Sequence, residues 1–298
     1  MTSRPLFARP LLARLSLTLL LAFGTAAPVL AQAAPAAVAA PNPFVAAASH
    51  VELPAPDGRK IDVSVWQAAD ERGVVIFSHG FGGSPASYRR ILAQWVDEGF
   101  TVVAPLHVDS ARHPARASYD GQAAFTTRIV DRATVRGFVH QTHAGKPLIA
   151  AGHSFGSLMS LIEAGAVTVA GPLGDPDVKA VVAFSSAGDL AGVIGPDTYA
   201  ALKTPTLMIT GDADLVEGYV TDWHAHRSPF DRAAPGDKML LVFEGGDHSL
   251  VANADQPDFD LIVQASTDFM KSYGLGEAAA RARLDALSAP AGVSLERR

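Results

Sequence analysis

The pentapeptide Gly152-His153-Ser154-Phe155-Gly156 has the form G-x-S-x-G. It follows the apolar run Leu148-Ile149-Ala150-Ala151 and precedes a helical stretch. A serine on a tight strand-to-helix turn projects its hydroxyl from the end of a sheet. The flanking glycines suit such a turn because a side chain there would meet the neighbouring strand or helix. The helix N-terminus beneath favours developing negative charge. A hydroxyl is a weak nucleophile at neutral pH and needs a base. The chain has 10 histidines. His248, in Glu244-Gly245-Gly246-Asp247-His248-Ser249, follows an apolar run at 239–243 and lies downstream of Ser154. An acid should orient that imidazole and stabilise its cation. The run Leu207-Met208-Ile209-Thr210 leads into Gly211-Asp212-Ala213-Asp214, so Asp212 and Asp214 compete. Asp214 reaches further from the strand end, and Asp212 is placed to fix the turn. The chain order Ser, Asp, His is the one a nucleophilic triad takes on an α/β sheet.

A tetrahedral oxyanion needs two donors. One is the backbone N–H of Phe155, the residue after the nucleophile. The other is expected from His79-Gly80-Phe81-Gly82-Gly83, where Phe81 N–H is the candidate. Neither a dinucleotide fingerprint nor a Lys-containing phosphate loop fits that stretch. The side chains of Phe81, Phe155 and Trp223 are candidates for lining a substrate pocket. His107-Val108-Asp109 with His113, and His224-Ala225-His226, read as solvated loops without a complete metal-ligand set. His153 is expected on the outer side of the elbow. No metal or organic cofactor is expected.

Positioning these residues requires short buried strands alternating with helices. Apolar β-branched runs at 74–78, 101–106, 148–151, 180–184, 207–210 and 239–243 read as strands covered on both faces. A hairpin at 51–66 turns on Pro56-Asp57-Gly58. Helices are expected after Pro85, over 121–143 with Phe125, Ile129, Phe138 and Val139 facing inward, and over 257–273. The pattern predicts an α/β fold with a mostly parallel central sheet flanked by helices on both faces. Function in such sheets sits at the carboxyl ends of the strands. The 298 residues carry 24 Lys+Arg and 30 Asp+Glu, a net charge of −6, which argues against nucleic acid as a partner. The absence of Cys excludes a thiol nucleophile, a disulfide framework and thiolate metal sites.

Residues 1–31 read as a signal peptide, with Arg4, Arg9 and Arg14, then an apolar run at 15–23, then Val29-Leu30-Ala31. Export to periplasm or medium is expected, without stable membrane insertion after cleavage. An Ala/Pro-rich tether over 32–44 precedes a single catalytic domain over 45–298, whose tail, 274–298, either packs as a short helix or frays. A monomer is the default.

The chain resembles the α/β-hydrolase superfamily through Phe77-Ser78-His79-Gly80-Phe81-Gly82-Gly83, Gly99-Phe100-Thr101-Val102-Val103-Ala104-Pro105, the serine pentapeptide, Gly211-Asp212-Ala213-Asp214, and Pro235-Gly236-Asp237-Lys238 leading to Gly246-Asp247-His248. Within it the chain is similar to dienelactone-hydrolase-like and platelet-activating-factor-acetylhydrolase-like bacterial esterases, with cutinase-like polyesterases nearby. The resemblance implies Ser154 as nucleophile, Asp214 as acid, His248 as base, and Phe81 and Phe155 as oxyanion donors. It implies a cofactor-free esterase acting on small or polymeric esters. Dienelactone hydrolases proper carry Cys where this chain has Ser154, and the polyesterases commonly carry a disulfide that is absent here. Only residues 187–204 stand where many relatives insert a cap domain, so no large cap and an open site are expected. Two further readings are a polyester or lipid-ester hydrolase and a catalytically silent binding protein on the same fold.

Overall fold

Strict alternation of side chains across the sheet organises the molecule. In β3 (Gly73–Ser78), Val75 and Phe77 enter one core cluster, while Val74 and Ile76 enter the cluster on the opposite face. All six residues of β3 are buried, as a strand covered on both faces requires. The computed structural model describes residues 43–169 and 171–298. The expected signal peptide and residues 32–42 of the expected tether lie outside them. The remaining two tether residues, Pro43 and Phe44, begin a short helix, α1 (Pro43–Ala46). Phe44 stacks on Trp66 at 5.1 Å, so packed structure starts two residues before the expected boundary.

The hairpin pairs β1 (Ser49–Pro54) with β2 (Lys60–Trp66). There follow β4 (Phe100–Pro105), β5 (Leu148–His153), β6 (Val178–Phe184), β7 (Thr206–Gly211), β8 (Lys238–Phe243) and β9 (Val293–Arg297). The nine strands form one sheet in the order β1-β2-β4-β3-β5-β6-β7-β8-β9. Strands β4, β3, β5, β6, β7 and β8 are mutually parallel, and the β1–β2, β2–β4 and β8–β9 pairs are antiparallel. This is the α/β-hydrolase architecture, without a large cap.

Helix α2 (Arg89–Asp97) buries Ile91, Leu92 and Trp95 in the first cluster, with Phe184, Phe243 and Phe269. Trp95 is fully buried and its indole N–H donates to Ser266 Oγ at 3.1 Å, the usual condition for burying that ring. Helix α3 (Gly121–Thr142) lies over the other face. Its inward residues are Ala124, Arg128, Asp131, Arg132, Val135 and Val139. Val139 is inward as expected, whereas Phe125, Ile129 and Phe138 are only half-buried, and three charged residues take their place. After β5 comes α4 (Phe155–Glu163), buried along its whole length. The shorter helices are α5 (Ser228–Arg232) and α6 (Leu250–Asn253). Helix α7 (Gln256–Phe269) is capped by Asp255, which accepts from Asp258 N at 3.2 Å.

The tail is integral to the fold. A π-turn (Met270–Gly274) leads to α8 (Ala278–Ala286), whose Leu284 enters the first cluster, and then to β9 on the edge of the sheet. Leu295 pairs with Leu241 there.

Candidate active site

Ser154 sits between β5 and α4 at φ 55° and ψ −120°, a left-handed backbone that a residue with a Cβ adopts at a cost of about 1–3 kcal/mol. The turn is held by Ser154 N–H donating to Phe184 O at 2.9 Å. Its glycines are sterically required. A Cβ on Gly156 would lie 2.0 Å from Ser78 O, and one on Gly152 2.4 Å from the Gly156 carbonyl carbon, both backbone atoms that cannot swing away. Close packing therefore fixes this strained turn at the carboxyl end of β5, ahead of the α4 N-terminus.

The loops after β7 and β8 bring Asp214 and His248 together: His248 Nδ1 donates to Asp214 Oδ1 at 2.7 Å. That leaves Nε2 as the nitrogen available for proton transfer. Asp214 is fully buried, and Thr210 Oγ1 donates to its Oδ2 at 2.6 Å. Burial alone would raise its pKa. Hydrogen bonds from His226 and His248, the charge of His226 and the Thr210 bond outweigh that and hold the carboxyl well below the usual range. Asp212 instead accepts from Gly245 N at 2.6 Å and ties the β7 turn to the β8 loop. Ser154 Oγ makes no hydrogen bond among the described residues. Hydrogen bonds of this kind commonly tighten only when substrate is bound.

His153 does not lie on the outer side of the elbow. It is buried, its Nε2 donates to His248 O at 2.8 Å, and its Nδ1 accepts from Tyr88 Oη at 2.8 Å. Tyr88 Oη in turn accepts from Gly80 N at 3.0 Å. One chain of hydrogen bonds therefore links the loop after β3, the serine turn and the His248 loop. Burial, with the neighbouring His248, lowers the His153 pKa to about 3, so it stays neutral. Burial pushes the Tyr88 phenol up to about 12.

The segment His107-Val108-Asp109 is likewise no solvated loop. His107 and Asp109 are fully buried, while His113 stays half-buried. Arg128 reaches Asp109 with both arms of its guanidinium, Nε to Oδ1 at 2.7 Å and Nη2 to Oδ2 at 2.8 Å. The same guanidinium donates to His79 O at 2.8 Å and to Gly80 O at 3.3 Å, and Asp109 Oδ2 accepts from Gly82 N at 3.2 Å. Burial opposes the Asp109 charge, and the hydrogen bonds and charge of Arg128 outweigh it, holding that carboxyl low. The consequence is stereochemical. Gly80 C=O and Phe81 N–H belong to one planar trans peptide and point in opposite directions. Gly80 O also accepts from His79 Nδ1 at 2.8 Å and Gly83 N at 3.0 Å. With that carbonyl fixed inward, Phe81 N–H is turned away from Arg128. Neither Phe81 N–H nor Phe155 N–H has an acceptor among the described residues, the state an anion-binding donor requires. Sequence reasoning missed Arg128. Its signal was there, because Arg128, Asp131, Arg132, Val135 and Val139 share one helical stripe.

Phe81 is 49% exposed, and its ring lies 6.3 Å from that of Phe155, which stacks on Phe125 at 6.2 Å. Phe155 also packs with Leu158, Met159, Ile162 and Val193 in a third apolar cluster. Trp223 stands apart from this wall: its ring stacks on His224 at 4.0 Å, it packs against the second cluster, and no ring contact joins it to Phe81 or Phe155. His224 is exposed, but His226, only 1% exposed, lies against Asp214 and not in a solvated loop. Asp214, His226 and His248 place ligand-type atoms within 4.8 Å of one another. Both His226 nitrogens are engaged by oxygen acceptors, so the trio reads as a hydrogen-bonded network. A second group, His140, Asp175 and Asp177, is at the surface, where Arg136 pairs with Asp175 at 3.1 Å.

A family model described as serine aminopeptidase, S33, matches residues 69–194, a span that holds Ser154 and the loop 79–83 and stops before Asp214 and His248. No curated protein sequence matches the chain. Solved structures similar to it include an esterase of Pyrococcus furiosus, at TM-score 0.60 and 15% identity, covering 76% of this chain and 92% of that one. Apo esterase 2 of Thermogutta terrifontis aligns at TM-score 0.59 and 17% identity, covering 78% and 97%. The esterase domain of a Rhodothermus marinus protein aligns at 0.56 and 15%, covering 76% and 98%. At these identities the likeness shows the fold they share.

Proposed function

We propose that the protein is an exported serine hydrolase that cleaves carboxylic esters through an acyl-enzyme on Ser154. The observation that carries this reading is the 2.7 Å bond from His248 Nδ1 to the buried Asp214, at the sheet edge where the strained Ser154 turn and two acceptor-free N–H groups stand. In this mechanism Ser154 Oγ attacks the ester carbonyl carbon and its proton passes to His248 Nε2. The oxyanion is held by Phe81 N–H and Phe155 N–H. Collapse expels the alcohol, which takes the proton from Nε2. Water, deprotonated by the same nitrogen, then releases the acid. Asp214 keeps His248 in the Nδ1–H tautomer and offsets the imidazolium charge. No step calls on a cofactor.

The aminopeptidase description of the matching family model supplies a second reading. A free amino terminus needs carboxylates to seat it. The wall beside Ser154 is instead aromatic and aliphatic, Arg116 lies 5.0 Å over the Phe81 ring, and Asp109 is committed to Arg128. Those features favour an ester with an apolar acyl or alcohol part, and the exposed Phe81 ring suits bulky esters, polyester and lipid ester among them. The dienelactone-hydrolase-like subgroup remains a resemblance of motifs.

The test compares p-nitrophenyl esters from acetyl to palmitoyl with aminoacyl-p-nitroanilides, using the wild type beside Ser154→Ala, with fluorophosphonate labelling of both. Ester turnover and labelling that vanish in Ser154→Ala support the reading. A folded wild type that is inert and unlabelled points to the silent binding protein. Preference for the anilides points to the peptidase. N-terminal sequencing of the secreted product tests the leader, with a start after Ala31 expected.

A further inference from the structure

The buried histidines around the site divide by what their ring nitrogens face. His79 donates from Nδ1 to Gly80 O and accepts at Nε2 from His107 N. His107 faces Asp131 with Nδ1 and the Ser78 hydroxyl with Nε2. His153 donates to His248 O and accepts from Tyr88 Oη. Each is satisfied as a neutral ring with one donor and one acceptor. His226 is different. Its Nδ1 contacts Ser186 O, and its Nε2 lies 3.0 Å from both Asp214 O and Asp214 Oδ1. A backbone carbonyl and a carboxylate only accept, so both nitrogens must carry hydrogen to satisfy all of these contacts.

We propose that His226 is a positioning residue held as an imidazolium, which clamps Asp214 through the same oxygen that His248 uses and extends the activity of the site into more acidic solution. This rests on the triad reading, in which His248 is the base. Asp214 Oδ1 is shared by His248 Nδ1 at 2.7 Å and His226 Nε2 at 3.0 Å, and the two rings lie 5.8 Å apart in near-parallel planes. A permanent cation there partly neutralises Asp214 and repels a second positive charge on His248.

The surroundings leave that effect in place. The Asp214 side contributes its one carboxylate, and His153, whose ring is 4.7 Å from His248, is neutral. On the segment of His226 itself, Asp222 pairs with His224, and Arg227 pairs with Glu296 and Asp231. Burial disfavours the charged form of His226, and the hydrogen bond and charge of Asp214, with the Ser186 and Asp214 carbonyls, outweigh it and raise its pKa.

The test is the pH dependence of kcat/KM on a soluble p-nitrophenyl ester for wild type and His226→Gln. Glutamine is neutral and keeps a donor for Asp214. Without the imidazolium the site holds one fixed positive charge fewer, so the acidic limb of kcat/KM moves to higher pH. From the Coulomb interaction of two unit charges at this separation, partly screened by solvent, the limb is expected to move by about one pH unit. A limb that stays put, or moves to lower pH, in a folded variant overturns the proposal.

Nitrogen-15 NMR of the wild-type full chain supplies a second readout that needs no variant. Two protonated ring nitrogens on His226 at pH 7 are expected, and a neutral tautomer overturns the proposal. Ser154→Ala keeps the two readings apart: undiminished turnover there would remove the triad reading, whereas the NMR state of His226 stands independently of turnover.

Discussion

Replacing Arg128 by Lys tests whether the guanidinium shapes the proposed oxyanion site or only fills the core. Lysine keeps the positive charge, so the fully buried Asp109 is not left unpaired, which would cost about 3–5 kcal/mol. What it loses is the fork. Arg128 spans Asp109 Oδ1 and Oδ2, His79 O and Gly80 O at 2.7, 2.8, 2.8 and 3.3 Å, and a lone ammonium can serve about half of these. Two charged hydrogen bonds at about 1.5 kcal/mol each give a stability loss of about 3 kcal/mol. The catalytic effect is separable. Removing an oxyanion donor costs about 100- to 1000-fold in kcat. Here the Phe81 N–H is loosened, not deleted, so kcat should fall roughly 10- to 100-fold. KM should change little, because the interaction is made mainly in the transition state. Urea titration gives the stability, and p-nitrophenyl butyrate kinetics below the unfolding transition give kcat and KM. A folded Lys variant with wild-type kcat and reduced stability would refute the positioning argument and leave Arg128 a purely structural ion.

Other consequences follow from the same contacts. Gly156→Ala places a Cβ 2.0 Å from Ser78 O and should cost more than about 4 kcal/mol, while Gly245→Ala, at φ 69° with open space around it, should cost about 1 kcal/mol; thermal unfolding of both checks the contrast. Asp214→Asn should lower kcat by about 10⁴-fold through the wrong His248 tautomer, and Asp212→Asn by less than about tenfold; equal losses in steady-state assays would contradict the assignment of the acid. His79, His107 and His153 are buried with lowered pKa values, so the unfolded chain binds their protons first as pH drops below about 6.5, and each removes up to about 1.4 kcal/mol of stability per pH unit. Asp131, raised by burial to about 6, acts in the opposite sense below that pH, leaving a net loss of about 3 kcal/mol per unit, which urea titrations between pH 6 and 5 would measure.

The parallel strands were legible because residues buried on both faces must be apolar, and runs such as Val74-Val75-Ile76-Phe77 have few alternatives. The serine turn was legible because its glycines answer to backbone atoms under 2.5 Å away. Strand β9 was not, since an edge strand is covered on one side only, and Glu296 and Arg297 make it read as a charged tail. The inward face of α3 was misread for a related reason. Hydrophobic periodicity assigns the core to Phe125, Ile129 and Phe138, and it has no means of seeing that Arg128 is buried when its partner, Asp109, lies on a distant loop. His226 went unseen on the same ground: its partner Asp214 precedes it by twelve residues in an irregular segment, and no local pattern announces the contact.

The hydrogen-bond chain through Tyr88 and His153 leads to a further expectation. Gly80 N–H donates to Tyr88 Oη, that hydroxyl donates to His153 Nδ1, and His153 Nε2 donates to the carbonyl of His248. The loop carrying Phe81 and the loop carrying His248 are therefore held by the same two side chains, and the hydroxyl polarises the ring it donates to. Tyr88→Phe removes both bonds made by the hydroxyl and leaves His153 only its bond to His248 O, so His153→Gln should then cost less than it does in the wild type. The two substitutions in kcat/KM should be less than additive, with a coupling of about 1–2 kcal/mol. Independent, additive losses in the double-mutant cycle would mean that each loop is positioned by its own contacts. The shared chain would then be an accident of packing.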